Sequence, residues 1–252
     1  MGWLDILRAN FADAPEGYQP FQRSLQWNYR KLAASLGSWT ALRHDTILYV
    51  KQSYTLGVKG MPEQPPKAVG FVEPAPEIYS RLLALLRMME TGVTSFGAPI
   101  DPAIGQRFKM LDNFLARLLE ISIAELENRD LTKDQNDFLE NVAEVIAGIM
   151  GKNKNEFTTE LVVDVHTDMN EGKALQCGTG KMNTMAVAYA RPDGSVMIAL
   201  GPVYSFYEFH QDLVKRLTDE QWQEMLKNEP LDMPAWMKEY MITKKPFKDE
   251  RF

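Results

Sequence analysis

Glu160-Leu161-Val162-Val163-Asp164-Val165-His166 is the stretch that decides the fold, and Thr167-Asp168 follows it. Its β-branched residues and its alternation at a period of two read as a half-buried strand, whereas the chain before Gly151 repeats at helical spacing. Residues at i, i+2 and i+4 of a strand share a face. Asp164, His166 and Asp168 are therefore expected to project together while Val163 and Val165 enter the core.

Upstream the pattern is helical. Phe21, Leu25, Asn28, Leu32, Ser35 and Leu36 follow the spacing, Trp39, Leu42, Ile47 and Leu48 continue it imperfectly, and the first 55 residues read as helix. Gly37-Ser38 either breaks this helix or bends it. Gly57 to Pro76 is rich in glycine and proline and reads as a long irregular connection, of the kind that is often functional. Pro76 can open a helix over Glu77–Thr91, because its missing amide would be unpaired anyway. Asp101-Pro102 is an N-cap followed by proline, opening a helix that carries Ile104, Phe108, Leu111, Leu115, Leu118 and Leu119. Thr132 and Gln135 form a capping box before a helix that runs to Ile149.

Downstream, Met185, Val187 and Tyr189 alternate with alanines, and Arg191-Pro192-Asp193-Gly194 is a hairpin turn returning through Ser195–Leu200. Val203–Phe209 is a further strand, and Thr218 with Gln221 caps a short helix through Leu226. The order predicts an α+β protein: an N-terminal helical bundle, an antiparallel β-meander and a short C-terminal helix. It is read as a single domain over 1–252, with a helical half about 1–152, a β half about 156–230 and a loosely attached tail at 231–252.

Composition narrows the function. With 28 basic and 34 acidic residues the net charge is −6, which argues against a nucleic-acid binder. The single cysteine, Cys177, excludes an intramolecular disulfide framework or multi-cysteine metal site, and reads as a small buried hydrophobe. No apolar run approaches a membrane span, and Met1-Gly2-Trp3-Leu4-Asp5 has neither a signal-peptide pattern nor, with Ile6, a myristoylation site. Gly178-Thr179-Gly180-Lys181 fails as a phosphate loop because Leu175 and Met182 stand where glycine and Ser or Thr are needed. A calcium loop from Asp164 fails at Met169, where glycine is obligatory.

One polar constellation remains. Asp164, His166 and Asp168, approached by His44, are candidate ligands for a divalent metal ion, and Glu208 is a candidate general base. The bland alternative is the solvated polar face of an antiparallel strand. Arg43 is a candidate structural arginine, ion-paired with Asp45 or with an acid of the sheet, locking helix to sheet. Tyr204, Phe206, Tyr207 and Phe209, with Trp27 and Trp39, are core packing or, alternatively, a sugar-stacking surface. Three functions stay open: a binding or structural module, a metal-dependent hydrolase, and a carbohydrate-binding module.

The stretch from Ser38-Trp39-Thr40-Ala41-Leu42-Arg43-His44-Asp45 to Gln52-Ser53-Tyr54 resembles a signature of a known family. So do Gly70-Phe71-Val72-Glu73-Pro74, Val163–Asp168, Gly201–Phe209 and Arg216-Leu217-Thr218-Asp219-Glu220-Gln221-Trp222, in the same order. The family is the prokaryotic domain-of-unknown-function family thirty-one-sixty. The resemblance implies no particular activity. It implies that the chain matches the C-terminal part of longer proteins, many secreted or lipoproteins. That favours an extracytoplasmic location, a cell-envelope context and an N-terminal remainder as partner; a sugar or protein ligand is what the aromatic set, if exposed, would take. Arg43, His44, Asp45, Asp164, His166, Asp168 and Glu208 fall inside matching motifs, whereas Cys177 and His210 do not.

Overall fold

The computed structural model describes residues 2–46, 70–97, 100–150, 158–228 and 231–241. In chain order the elements are α1 (Trp3–Asn10), a 3-10 turn (Pro20–Arg23), α2 (Leu25–Thr46), α3 (Pro76–Ser95), α4 (Pro102–Leu126), α5 (Lys133–Glu140) and α6 (Val142–Met150). Then follow β1 (Val162–Asp168), β2 (Lys173–Thr179), β3 (Asn183–Ala190), β4 (Val196–Val203), β5 (Phe206–Asp212), a 3-10 turn (Leu213–Lys215), α7 (Asp219–Asn228) and α8 (Ala235–Lys238). Helices precede antiparallel strands and a short C-terminal helix follows them, so the protein is α+β. Among the described residues no helix is long and apolar enough to cross a membrane.

Internal contacts group the chain into two compact units. The first comprises Met1–Arg23, Gln52–Phe157 and Ala186–Ala199. In it α3 and α4 form a hairpin around Leu83, Leu86 and Leu115, with Leu82, Phe108 and Leu111 packed beside them. A second cluster joins Val72, Ile121 and Leu139. The sequence signals act as expected: Pro76 opens α3, and the Asp101 carboxylate accepts the Ala103 amide at 2.7 Å to open α4. At α5, Thr132 and Gln135 exchange side-chain and backbone hydrogen bonds. Arg81 ties α1 to α3 by a 2.8 Å ion pair with Asp5, and Phe71 stacks on Tyr189 with ring centroids 4.1 Å apart.

Two helical expectations are corrected here. The continuous helix over the first 55 residues is interrupted after α1, where Pro15, Gly17 in the left-handed region (φ +101) and Pro20 cannot sustain helical pairing. The helix from Thr132 to Ile149 divides at Asn141 into α5 and α6. There the Asn141 side-chain amide donates to the Asp137 carbonyl at 2.7 Å, competing with the helical ladder. Gly57–Lys67, Ile47–Tyr54 and the tail beyond Met241 lie outside the described residues.

The second unit comprises Ser24–Lys51, Thr158–Met185 and Leu200–Phe252. Its three-stranded antiparallel sheet has the order β1-β2-β5, with β2 paired directly to β5; β3 and β4, which come between them in the chain, pair as a separate two-stranded sheet. On one face Val163, Cys177 and Phe206 pack against Ala33 of α2 and Met237 of α8. On the other, Val162 and Tyr207 pack on Trp222 of α7, whose indole donates to the Thr179 carbonyl at 2.8 Å. Gly37 does not break α2. It admits the Tyr204 ring, since a Cβ there would stand 2.7 Å from Tyr204 Cγ. The expectation of a loosely attached tail from Leu231 is corrected for 231–241: Met237 is fully buried and Trp236 packs at 6.1 Å on Tyr29 of α2.

Candidate functional site

The motif residues of the second unit meet where the last turn of α2, β1 and the start of α7 come together. Arg43 Nε donates to the Asp164 carbonyl at 3.0 Å, and Nη2 donates to the Val165 carbonyl at 3.2 Å. Its guanidinium also lies 5.6 Å from the centroid of the Trp39 ring. These carbonyls sit at a β-bulge: Asp164 faces Gln176 and His166 faces Leu175, leaving Val165 as the extra residue. A bulge disrupts the local ladder, and the rigid fork of an arginine bridges two neighbouring acceptors. The expected ion pair of Arg43 with Asp45 is thus corrected. Arg43 does lock helix against strand, but through backbone oxygens.

His44 is buried and has a carboxylate at each nitrogen. Nε2 lies 2.8 Å from Asp219 Oδ2, and Nδ1 lies 3.2 Å from Asp45 Oδ1. Asp219 Oδ1 in turn accepts the Val162 amide at 3.1 Å. Asp219 is placed there by the capping box of Thr218 and Gln221, and its charge suits the first turn of α7. One carboxylate therefore connects α2, β1 and α7.

Asp164 is engaged on the opposite side of the bulge. Its carboxylate accepts from Gln176 Nε2 at 2.7 Å and pairs with Arg216 Nη1 at 3.1 Å. Gln176, almost fully buried, exchanges two further hydrogen bonds with the Leu217 backbone, at 3.2 and 3.4 Å.

The expected convergence of Asp164, His166 and Asp168 does not occur. Cross-strand partners share a face, and Gln176 and Leu175 are successive residues on opposite faces. The single inserted residue therefore turns His166 and Asp168 away from Asp164. His166 is exposed. Asp168 Oδ1 accepts the amides of Glu171 and Asn170 at 3.2 and 2.8 Å, which closes the β1–β2 turn and holds its carboxyl below the usual range. Among the described residues no three His, Cys, Asp or Glu side chains are grouped so that they could hold a metal ion.

The remaining candidates are separated from this network. Glu208 is exposed opposite Cys177 on β5, with no hydrogen bond or ion pair among the described residues. Burial pushes the Cys177 thiol up to about 12, with Glu208 adding to the effect and Arg43 opposing it, so the group stays a thiol. His210 is exposed on β5 across from Leu175. The aromatic set is core: Trp27, Phe206 and Tyr207 are buried, and Tyr204 covers Gly37. Phe209 stacks on Trp222 at 5.3 Å. Trp39 is half-buried against the cluster of Ala33, Val163 and Phe206.

A second polar assembly, unforeseen in the sequence, lies wholly within the first unit. A cavity of about 370 Å³ is lined by Glu125 at the end of α4, Asn136 of α5, Tyr189 of β3 and Arg191 in the hairpin turn, among others. Burial raises the Glu125 carboxyl to about 7, against the opposing charge of Arg191. Tyr189 is 4% exposed, yet its hydroxyl has no hydrogen-bond partner among the described residues. No local pattern announces this site, because its groups come from a helix end, a capping helix and a hairpin far apart in the chain.

A family profile described as "Protein of unknown function (DUF3160)" matches residues 1–237. No curated protein and no solved structure gives a match.

Proposed function

The chain belongs to the DUF3160 family of proteins of unknown function, and from that premise we propose that it is a binding or structural module of a larger cell-envelope or secreted protein. In this reading the polar residues of its motifs hold the fold and perform no chemistry. The observation that carries it is the engagement of Arg43 and His44. The arginine is spent on two carbonyls of β1, and both imidazole nitrogens face carboxylates. A catalytic imidazole needs one nitrogen open toward substrate, and a metal site needs ligands that converge on an open position.

The hydrolase alternative draws less support, since Asp164 is paired with Arg216 and turned away from His166. The carbohydrate alternative draws less support because the tyrosines and tryptophans it would use pack in the core. Elemental analysis of the untagged protein, combined with thermal melts of Asp164→Ala and His166→Ala, tests the proposal. The expected result is unaltered metal content in both variants, a lowered melting temperature for Asp164→Ala and little change for His166→Ala. A stoichiometric divalent ion lost in both variants would overturn it in favour of the hydrolase.

A further inference from the structure

We propose that the cavity of the first unit is a binding site for a small ligand bearing a primary ammonium group. Three of its polar groups have hydrogen-bonding capacity left over. The Tyr189 hydroxyl and Asn136 Oδ1 are buried atoms without a hydrogen-bond partner among the described residues. The orientation of the Asn136 amide follows from its surroundings: Nδ2 donates to the carbonyls of Leu131 and Thr132 at 3.2 and 3.1 Å, so its oxygen is the end left free. Glu125 is the third, with a carboxyl that makes no hydrogen bond among the described residues. A buried polar atom without a partner is costly, and a native fold retains such atoms where something else meets them.

The chemistry of these groups selects the ligand. Asn136 Oδ1 can only accept, ionised Glu125 can only accept, and Tyr189 Oη can accept. A primary ammonium carries three donors and no acceptor, which matches that set. The charged surroundings point the same way. Asp130 and Asp193 join Glu125 in the lining against Arg129 and Arg191. Arg129 is further paired with Glu127 at 2.6 Å, outside the lining. Arg191 is the cation that acts on Glu125, and Asp193 Oδ2 stands 3.8 Å from Arg191 Nη1. An anion would find both arginines already beside a carboxylate, Arg129 with Glu127 and Arg191 with Asp193, whereas an ammonium would meet acceptors that have no donor among the described residues. The volume of about 370 Å³ exceeds the roughly 30 Å³ share of a single water many times over.

Binding should also be linked to a proton. Below about 7 the free Glu125 carboxyl is protonated, so an entering ammonium displaces that proton. Titration calorimetry of the full chain with pentylamine, pentan-1-ol and hexanoate tests this, using buffers of different ionisation enthalpy. Pentylamine is expected to bind, releasing most of one proton at pH 6 and almost none at pH 8.5. Its affinity should fall at least tenfold in Glu125→Gln and severalfold in Tyr189→Phe, which keeps the ring stacked on Phe71. Pentan-1-ol and hexanoate should bind at least tenfold more weakly. Tighter binding of hexanoate would overturn the proposal, as would equal affinities for all three probes. So would no heat from any probe, which would leave the cavity to water. Melts of each variant show separately whether the fold has been kept.

Discussion

His44 Nε2 lies 2.8 Å from Asp219 Oδ2, and this pair fastens the end of α2 to the first turn of α7. Asp219 also holds the Val162 amide, so the histidine is the third member of a three-element joint. Removing the imidazole leaves a carboxylate that is only 12% exposed facing a cavity. His44→Ala should therefore lower stability by about 1–3 kcal/mol, the cost of stranding a buried polar partner. Urea unfolding at neutral pH measures it. His44→Ala combined with Asp219→Ala should lose less than the sum of the single changes, and strict additivity would show that the two residues act independently.

Close approach makes a second prediction. Alanine is favoured over glycine in a helix interior by about 1 kcal/mol. At position 37, however, the added methyl would meet the base of the Tyr204 ring at 2.7 Å, where the side chain has little freedom to withdraw. Overpacking typically costs about 1–3 kcal/mol, so Gly37→Ala should destabilise on balance. In a Tyr204→Ala background the same substitution should become stabilising. Denaturant midpoints of the four proteins decide it, and a stabilising Gly37→Ala in the native background would contradict the packing.

Glu125 gives the protein a pH dependence of definite sign. Its carboxyl titrates near 4.5 ordinarily and is raised to about 7 by burial in the fold. Between those values the folded chain holds a proton that the unfolded chain has released, so stability falls as pH rises from 4.5 toward 7 and then levels. Glu125→Gln removes that dependence. It should raise stability at pH 8 by about 1 kcal/mol, discounted for the water reaching the open cavity, and leave it little changed at pH 4.5. Thermal melts at the two pH values provide the comparison. A variant equally shifted at both would locate its effect in packing instead.

The elements that were legible in the sequence are those defined by local rules. Asp101-Pro102, Thr132 with Gln135, Thr218 with Gln221 and the turn at 191–194 each specify their structure within a few residues, and each stands where its chemistry placed it. β2 was not legible. Lys173–Thr179 is buried on both faces between β1 and β5, so it lacks the alternation that marks a half-exposed strand. Without β2 the bulge could not be foreseen, because it exists only as a slip of register against Gln176 and Leu175. That one slip is why Asp164, His166 and Asp168, which a regular strand would put on one face, do not converge. His44 has its main partner in Asp219, 175 residues away, which no local spacing marks as a neighbour.

The bulge also sets the sharpest test of what Arg43 does. Its two donors reach two successive carbonyls of β1, and the distances of 3.0 and 3.2 Å require the fixed spacing of a guanidinium. A lysine keeps the charge near the C-terminal end of α2, which the helix dipole favours, but its single ammonium sits on a flexible stem without that fork. If charge were the contribution, Arg43→Lys would be nearly neutral. If the fork is what matters, Arg43→Lys should lose about 1 kcal/mol, one carbonyl bond, and Arg43→Ala more. Amide hydrogen exchange separates the cases locally. Loss of the fork should speed exchange in β1 around Val165 and His166 before the rest of the sheet, whereas a general charge effect would lower protection evenly across β1, β2 and β5.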